Sequence, residues 1–251
     1  MHKKLNFSII TTWIIVTVTV AVLVFAGTAV ADILDIGSMY KPPISNAKGT
    51  GLIDLITKER FSRIGVKVEI NLVASGHALK KANKGLYDAD IMRVGGASEK
   101  YTNLIQVPGK IYDFDFVAFT KTVKAPMTGW ESLTPFRVAV PKGWVETDNH
   151  VSQNNTTTLV RSPSPFKLFK TLTDGETDLI IYERLMGYQM LKDLDLKDVH
   201  VIEPPLSSKD MFLYLHNKHK DMVPKLVQAL KDMKEDGTFK KLYDQALRGV
   251  K

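Results

Sequence analysis

The sequence predicts an α/β fold, because short strand-like and helix-like segments alternate from Asp32 to the end of the chain. Two strand patterns support this prediction. Residues 66–72 alternate apolar with polar side chains, which is typical of a strand with one exposed face. Residues 178–182 are almost wholly apolar, which is typical of a strand covered on both faces. Together they indicate a sheet that is packed against helices.

In the first half of the chain, strands and helices follow in a regular order. Strands are expected within residues 32–40, 66–72, 88–94 and 114–120, and helices within residues 52–64 and 78–84. Pro42 and Pro43 end the first strand, because proline has no N–H for a sheet ladder. Gly95 and Gly96 are typical of a turn after the third strand.

The second half repeats the pattern. Strands are expected within residues 136–141, 178–182, 200–203 and 211–216, and helices over residues 166–172, 186–191, 223–233 and 239–247. Pro204 and Pro205 separate two of these strands. The last helices are amphipathic and should pack on the sheet.

Composition excludes several classes of function. The chain has 251 residues and no cysteine, so it contains no disulfide scaffold, cysteine-ligated zinc site or cysteine nucleophile. Its formal net charge of +7 is spread along the chain. Such a charge favours anionic surroundings but does not indicate nucleic-acid binding.

The start of the chain is typical of an export signal. Lys3 and Lys4 precede an uncharged run over residues 9–31, which ends in Ala29-Val30-Ala31. Small residues at this spacing predict cleavage by a signal peptidase before Asp32. The alternative is an uncleaved anchor, since the run is long enough to span a bilayer. In either case the remaining chain is expected to work outside the cytoplasm, in the periplasm or its equivalent.

Several short patterns follow one another in an order that is informative as a whole. They are Met39-Tyr40-Lys41-Pro42-Pro43, Gly65-Val66-Lys67-Val68-Glu69, Lys84-Gly85-Leu86-Tyr87-Asp88-Ala89-Asp90-Ile91, Val138-Ala139-Val140 with Gly143, Leu172 with Gly175, Asp178 and Tyr188, and Gly237-Thr238 with Lys241-Leu242-Tyr243. In this order the chain resembles the extracytoplasmic solute-binding proteins, in particular those related to the amino-acid-binding proteins of ABC importers. The resemblance covers almost all of the chain after residue 31.

This resemblance implies a two-lobe periplasmic-binding-protein-like fold of type 2, with two crossover strands. Lobe 1 would comprise residues 32–119 and 210–251, and lobe 2 residues 120–209. Such proteins hold a small molecule in the cleft between the lobes and close about a hinge. The resemblance also implies a monomer without a cofactor that works with a membrane transporter.

Ligands of such folds bind at loops beyond the carboxyl ends of the strands. This rule selects the candidate ligand-binding residues Tyr40, Ser75, Arg93, Tyr112, Trp144, Tyr182 and Glu183. Tyr40 and Trp144 either stack on a ligand or fill the interface between lobes.

Arg93 is expected to hold a ligand carboxylate with its planar guanidinium. The alternative is a salt bridge to Asp88, Asp90 or Glu99. The amino-acid binders usually carry Thr-Pro-Glu-Arg after this strand, with the Arg on the ligand carboxylate. This chain has residues 97–100, Ala-Ser-Glu-Lys, at that place, so Arg93 or Lys100 would take the role.

Glu183 stands where the family usually has an Asp that pairs with the ligand's ammonium group. The alternative is a solvated carboxylate at the start of a helix. His216 and His219 lie three residues apart, but no further ligand accompanies them, so no metal site is expected.

The sequence therefore predicts a binding protein, not an enzyme, for a small anionic or zwitterionic and amino-acid-like solute. Two alternatives remain. One is a sensing module for a separate membrane partner. The other is an enzyme on the same fold, like the periplasmic dehydratases, with Glu183 and Arg93 in the cleft.

Overall fold

The structure is a computed structural model that describes residues 33–73 and 77–250. Strands and helices alternate along this part of the chain, as the sequence predicts. The strands are Leu34–Ser38 (β1), Val68–Leu72 (β2), Ala89–Val94 (β3), Leu104–Gln106 (β4), Tyr112–Thr120 (β5), Arg137–Pro141 (β6), Thr158–Ser162 (β7), Leu179–Glu183 (β8) and His200–His216 (β9). The α-helices are Leu52–Ser62 (α1), His77–Asn83 (α2), Val145–His150 (α3), Pro165–Thr173 (α4), Arg184–Asp193 (α5), Val223–Glu235 (α6) and Thr238–Ala246 (α7).

The sheet consists of two parallel groups of strands that are joined by two antiparallel strands. Its order is β2-β1-β3-β9-β5-β8-β6-β7, and β4 pairs with β9. The first parallel group is β1, β2 and β3, and the second is β6, β7 and β8. Between the groups, β5 and β9 run antiparallel to each other. This is the predicted two-lobe arrangement with two crossover strands; the residue boundaries of the lobes stay a prediction.

β9 differs from the sequence-based expectation, because it continues through Pro204 and Pro205. The pairing of β5 with β9 shifts register here: Phe116 lies opposite Ser207, and Ala118 lies opposite Ile202. The prolines thus fall in a bulge, where the ladder requires no N–H donor. The prediction of two separate strands over residues 200–203 and 211–216 was wrong for this reason.

β4, β7 and α3 are not predicted by the sequence pattern. They contain 3, 5 and 6 residues. Their sequences, Leu-Ile-Gln, Thr-Leu-Val-Arg-Ser and Val-Glu-Thr-Asp-Asn-His, show neither strict alternation nor an apolar helical face. They are defined by their packing against longer elements.

The core lies between the sheet and the helices. All residues of β8 are buried, as its apolar sequence predicts. α6 buries one face with Leu226, Ala229, Leu230 and Met233. Burial of each large apolar side chain stabilises the fold by about 1.5–3 kcal/mol.

Within residues 33–73 and 77–250, no helix combines the length and the apolar character needed to span a bilayer. The predicted export signal, residues 1–31, lies outside the described residues.

Candidate functional site

A cleft of about 860 Å³ lies at the carboxyl ends of β1, β3 and β6. Ligands of open α/β sheets bind at such strand ends. Loops of both parallel groups contribute to the cleft, together with parts of β5 and β9. Its lining residues are Met39, Lys41, Met92, Arg93, Val94, Gly95, Phe114, Phe116, Trp144, Val145, Glu146, Ser208, Lys209, Asp210, Met211 and Phe212.

Lys41 reaches the cleft on a loop that is anchored to the start of α1. The buried carboxylate of Asp54 accepts hydrogen bonds from the Ser45 hydroxyl, at 2.7 Å, and from the Gly51 backbone N–H, at 3.0 Å. A side chain at Gly51 would place its Cβ 2.5 Å from the carbonyl oxygen of Ile44. Glycine is therefore required where the loop crosses the helix start. This network fixes the backbone that carries Lys41.

The ammonium group of Lys41 lies 5.2 Å from the centre of the Trp144 indole ring. A loop of the first parallel group thereby contacts a loop of the second. Burial lowers the pKa of Lys41, and the negative charge of Glu183 opposes this effect. Among the described residues, no carboxylate lies within ion-pair distance of Lys41, whereas Arg93 and Lys209 both have such partners.

Aromatic rings form one wall of the cleft around Trp144. Its indole stacks on Tyr182, with ring centres 5.1 Å apart. Phe114 and Phe116 approach the same indole at 5.7 Å and 5.9 Å. The two Phe side chains lie two residues apart on β5, so they share one face of the sheet. The cleft therefore offers a flat apolar surface to a ligand.

Arg93 enters the cleft from an irregular end of β3. Met92 has a φ of 70°, in the left-handed region, and the pairing of β3 with β9 shifts register between Asp90 and Arg93. The Arg93 Nε atom lies 2.9 Å from Oδ1 of Asp90, which is fully buried. Burial raises the pKa of Asp90 to about 7, although the positive charge of Arg93 opposes this. Arg93 thus neutralises a buried acid of the protein itself.

Glu183 lies at the junction of β8 and α5 and is not among the residues that line the cleft. Its side chain is fully buried and accepts a hydrogen bond from the Tyr112 hydroxyl. It also accepts one from the Met186 backbone N–H, at 2.7 Å, and so caps α5. Burial raises the pKa of Glu183 to about 7, against the lowering effect of these donors.

The remaining acids of the cleft are paired. Glu146 accepts a hydrogen bond from the Ser207 hydroxyl at 2.9 Å, and it forms an ion pair with Lys209 at 3.1 Å. Asp210 forms an ion pair with Lys110 at 3.2 Å. Glu146 belongs to α3 and its partners to β9, so these contacts join the second parallel group to a crossover strand.

Comparison with known proteins identifies the fold. No protein-family model matches the chain. A protein of Shewanella oneidensis, described as "Uncharacterized protein", is 25% identical over 201 residues, which are 77% of this chain and 75% of that protein.

Solved structures are similar in fold at low sequence identity. A histidine kinase sensor domain with similarity to periplasmic binding proteins has a TM-score of 0.67 and 16% identity, covering 86% of this chain and 96% of that one. An ancestral arginine-binding protein bound to arginine has a TM-score of 0.65 and 18% identity, covering 85% and 97%. The substrate-binding protein of an amino acid ABC transporter has a TM-score of 0.61 and 18% identity, covering 86% and 100%.

The chain has the periplasmic-binding-protein fold. The fold class inferred from the order of short sequence patterns is therefore confirmed. In the periplasmic-binding-protein fold the cleft between lobes is the place where a ligand is expected, and the cleft at β1, β3 and β6 occupies it.

The structure brings some of the predicted site residues together. Arg93 and Trp144 line the cleft, and Tyr182 lies directly behind Trp144. Tyr112 and Glu183 form a buried hydrogen-bonded pair that does not line the cleft, and Tyr112 borders a separate groove beside Arg184 and Tyr243. Their roles in ligand binding stay predictions.

The other two predicted residues, Tyr40 and Ser75, do not belong to this group. Tyr40 is 63% exposed and faces a second groove beside α5 and α7, outside the cleft. Ser75 lies outside the described residues.

Sequence reasoning missed Lys41, the Phe114–Phe116 pair, and Glu146 with Lys209. Lys41 follows the predicted Tyr40 directly, but Lys41 lines the cleft whereas Tyr40 lines the second groove. The alternation of Phe114 and Phe116 in β5 was a usable signal, because residues two apart share a face. Pairing between Glu146 and Lys209 joins distant segments and leaves no local pattern.

Proposed function

We propose that the protein is an extracytoplasmic solute-binding protein that captures a small polar, anionic or zwitterionic molecule between its lobes. The contact between Lys41 and Trp144 carries this proposal, because it joins loops of both parallel groups across one cleft. A ligand held there would contact both groups at once. Its binding would favour the closed arrangement over the open one, which is how two-lobe proteins couple binding to hinge closure.

Binding without turnover fits the charged groups of the cleft. Both carboxylates that line it, Glu146 and Asp210, are in ion pairs with lysines. Glu183 is fully buried and does not line the cleft. A general base must reach the proton that it removes, so these contacts favour a binding protein over a dehydratase-type enzyme.

The partner of the binding protein is proposed to be an ABC-type importer in the membrane. Similarity to the substrate-binding protein of an amino acid ABC transporter supports this role. The exported chain would act as a monomer that binds one ligand molecule and delivers it. Export would follow from the predicted signal at residues 1–31.

A second candidate partner is a membrane-bound sensor. The fold similarity to a histidine kinase sensor domain supports it, at a TM-score of 0.67. In that case hinge closure would be transmitted to the sensor, and the ligand would not be carried into the cell. Deletion of the gene separates the two roles: loss of ligand uptake indicates an importer, and loss of a ligand response with normal uptake indicates a sensor.

The binding function is tested with the exported chain in a thermal-shift screen of amino acids and small organic acids. A compound that raises the melting temperature should also reduce the radius of gyration in small-angle scattering. Trp144→Ala should abolish both effects. Phe166→Ala, which removes an exposed side chain outside the cleft, is the matched control. A ligand that leaves the radius unchanged at saturation contradicts hinge closure, and failure of the whole library contradicts the function.

A further inference from the structure

The charged groups of the cleft indicate which charges its ligand carries. We propose that the cleft selects an organic anion with an apolar body and has no subsite for an ammonium group, and that Lys41 holds the anion. This inference rests on the proposed binding function and names the ligand class. It differs from the zwitterionic, amino-acid-like ligand that the sequence resemblance implies.

Lys41 is the cation that remains available to a ligand. Of the three cations that line the cleft, Arg93 is paired with Asp90 at 2.9 Å and Lys209 with Glu146 at 3.1 Å. Within the described part of the chain, Lys41 has no ion-pair partner. Its ammonium group rests on the Trp144 ring, half-buried. A charged group in such a place gains more from a counter-ion than an exposed one does, because less water screens it.

No carboxylate offers the corresponding place for a ligand ammonium. Glu146 and Asp210 are paired with Lys209 and Lys110, and Asp90 with Arg93. Residues 74–76, which lie outside the described residues, are Ala-Ser-Gly and contain no acid. An amino acid in this cleft would have to bury its ammonium group without a carboxylate, which is costly.

Glu183 does not serve as that carboxylate in this structure. Glu183 is fully buried, and each of its two oxygens accepts one hydrogen bond, from the Tyr112 hydroxyl and from the Met186 N–H. To reach a ligand, Glu183 would have to give up the cap of α5.

The apolar part of the ligand is matched by the rest of the lining. Aromatic and thioether side chains line the same cleft as Lys41, namely Phe114, Phe116, Trp144, Met92, Met211 and Phe212. Flat rings and methionines favour an aromatic or branched hydrocarbon body. Such a body would lie on the wall while its carboxylate meets Lys41.

The test uses probes that differ only in their charged groups. For a phenyl body these are 3-phenylpropionate, L-phenylalanine and 2-phenylethylamine. For an indole body they are indole-3-propionate, L-tryptophan and tryptamine. Isothermal titration of the exported chain should show, for at least one body, that the carboxylate binds at least tenfold more tightly than the amino acid and that the amine does not bind.

Variants of Lys41 assign the anion to this residue. Lys41→Gln should weaken binding of the tighter carboxylate at least tenfold, and Lys41→Arg should restore most of it. Lys48→Gln removes an exposed lysine from the same loop and should leave the affinity unchanged. Melting curves of all variants confirm that the fold is retained.

Three results would overturn the inference: tighter binding of the amino acid than of its carboxylate analogue, binding of an amine, or an unchanged affinity in Lys41→Gln. Absence of binding for every probe counts against it as well. In that event, a hit from the wider library that still requires Trp144 would leave the proposed binding function intact. Failure of that library too would overturn both.

Discussion

The guanidinium of Arg93 lies against the buried carboxylate of Asp90, with Nε and Oδ1 2.9 Å apart. Arg93 is 13% exposed at its side chain, whereas Asp90 is fully enclosed. The sequence analysis gave a salt bridge to Asp88, Asp90 or Glu99 as the alternative to ligand binding by Arg93. The structure contains this salt bridge, and its partner is Asp90. Because the pKa of Asp90 is raised to about 7 even beside this cation, its charge depends on Arg93.

Arg93→Ala is expected to destabilise the protein because it leaves Asp90 buried without a cation. Removal of one partner of a buried pair costs about 3–5 kcal/mol. The loss should be larger at pH 8 than at pH 5, where Asp90 is protonated. Urea denaturation at both pH values measures it.

The double variant Arg93→Ala with Asp90→Asn is the control, since it removes the buried charge as well. It should recover much of the stability at pH 8, and it should bind the tighter of the two carboxylate probes within threefold of wild type. A tenfold loss of affinity in the double variant would instead assign the ligand anion to Arg93, as the sequence analysis expects.

Glu183 should make the protein less stable as the pH rises towards neutrality. Burial raises the pKa of Glu183 from 4.5 to about 7. Between these values the folded state binds more protons than the unfolded state, so the free energy of unfolding falls as pH rises, by up to about 1.4 kcal/mol per pH unit for one group. The stabilisation is fully present below about pH 4.5, the unfolded-state pKa, and is lost as the pH rises through about 7.

Glu183→Gln tests this directly, because the amide resembles the protonated acid. The variant should show a shallower fall of stability between pH 4.5 and 7, and it should be more stable than wild type at pH 8. Glu235→Gln, which changes an exposed acid on α6, should follow the wild-type curve. Identical curves for Glu183→Gln and wild type would mean that Glu183 ionises normally.

Much of the fold could be predicted from the sequence, because its long elements have clear periods. The alternation at residues 66–72 and the apolar run at 178–182 both correspond to strands. Pro204 and Pro205 misled the prediction for β9. A proline cannot donate a hydrogen bond to the sheet ladder, but it is tolerated in a bulge within a strand. Whether a proline ends a strand or lies in a bulge depends on the pairing with the neighbouring strand.

The candidate site was less predictable than the fold. The rule of strand ends selects loops that line the cleft, but it does not determine which side chain of a loop turns inward. It chose Tyr40, which is 63% exposed, and passed over its neighbour Lys41. The rule also could not show that Arg93 forms an ion pair with Asp90. The two residues lie on either side of Met92, whose left-handed backbone accompanies the register shift between β3 and β9.

Processing of the N-terminus is expected to yield a secreted chain that begins at Asp32. Ala29 and Ala31 supply the small side chains that a signal peptidase accepts. N-terminal sequencing of the exported protein measures the start. Ala31→Arg should block cleavage and retain the protein at the membrane, whereas recovery of intact wild-type chain in the membrane fraction would support an anchor.

Gly187 should not tolerate even a methyl group, because α5 crosses β5 at this residue. A Cβ at Gly187 would lie 1.9 Å from Cζ of Phe119, which is fully buried. The ring has little room to move, since Phe169 and Tyr188 pack edge-on against it at 5.5 Å and 6.2 Å. Alanine would improve helix propensity by about 1 kcal/mol, but overpacking in a core costs about 1–3 kcal/mol or more. Gly187→Ala should therefore lower the free energy of unfolding, as measured by urea denaturation.

Gly95→Ala is the control for this substitution. Its Cβ would meet Phe212 at an ordinary 3.4 Å, so the stability should be close to that of wild type. Adding Phe119→Leu to Gly187→Ala should cost less than the two single losses combined, because the smaller side chain makes room for the methyl group. Strict additivity would refute the contact.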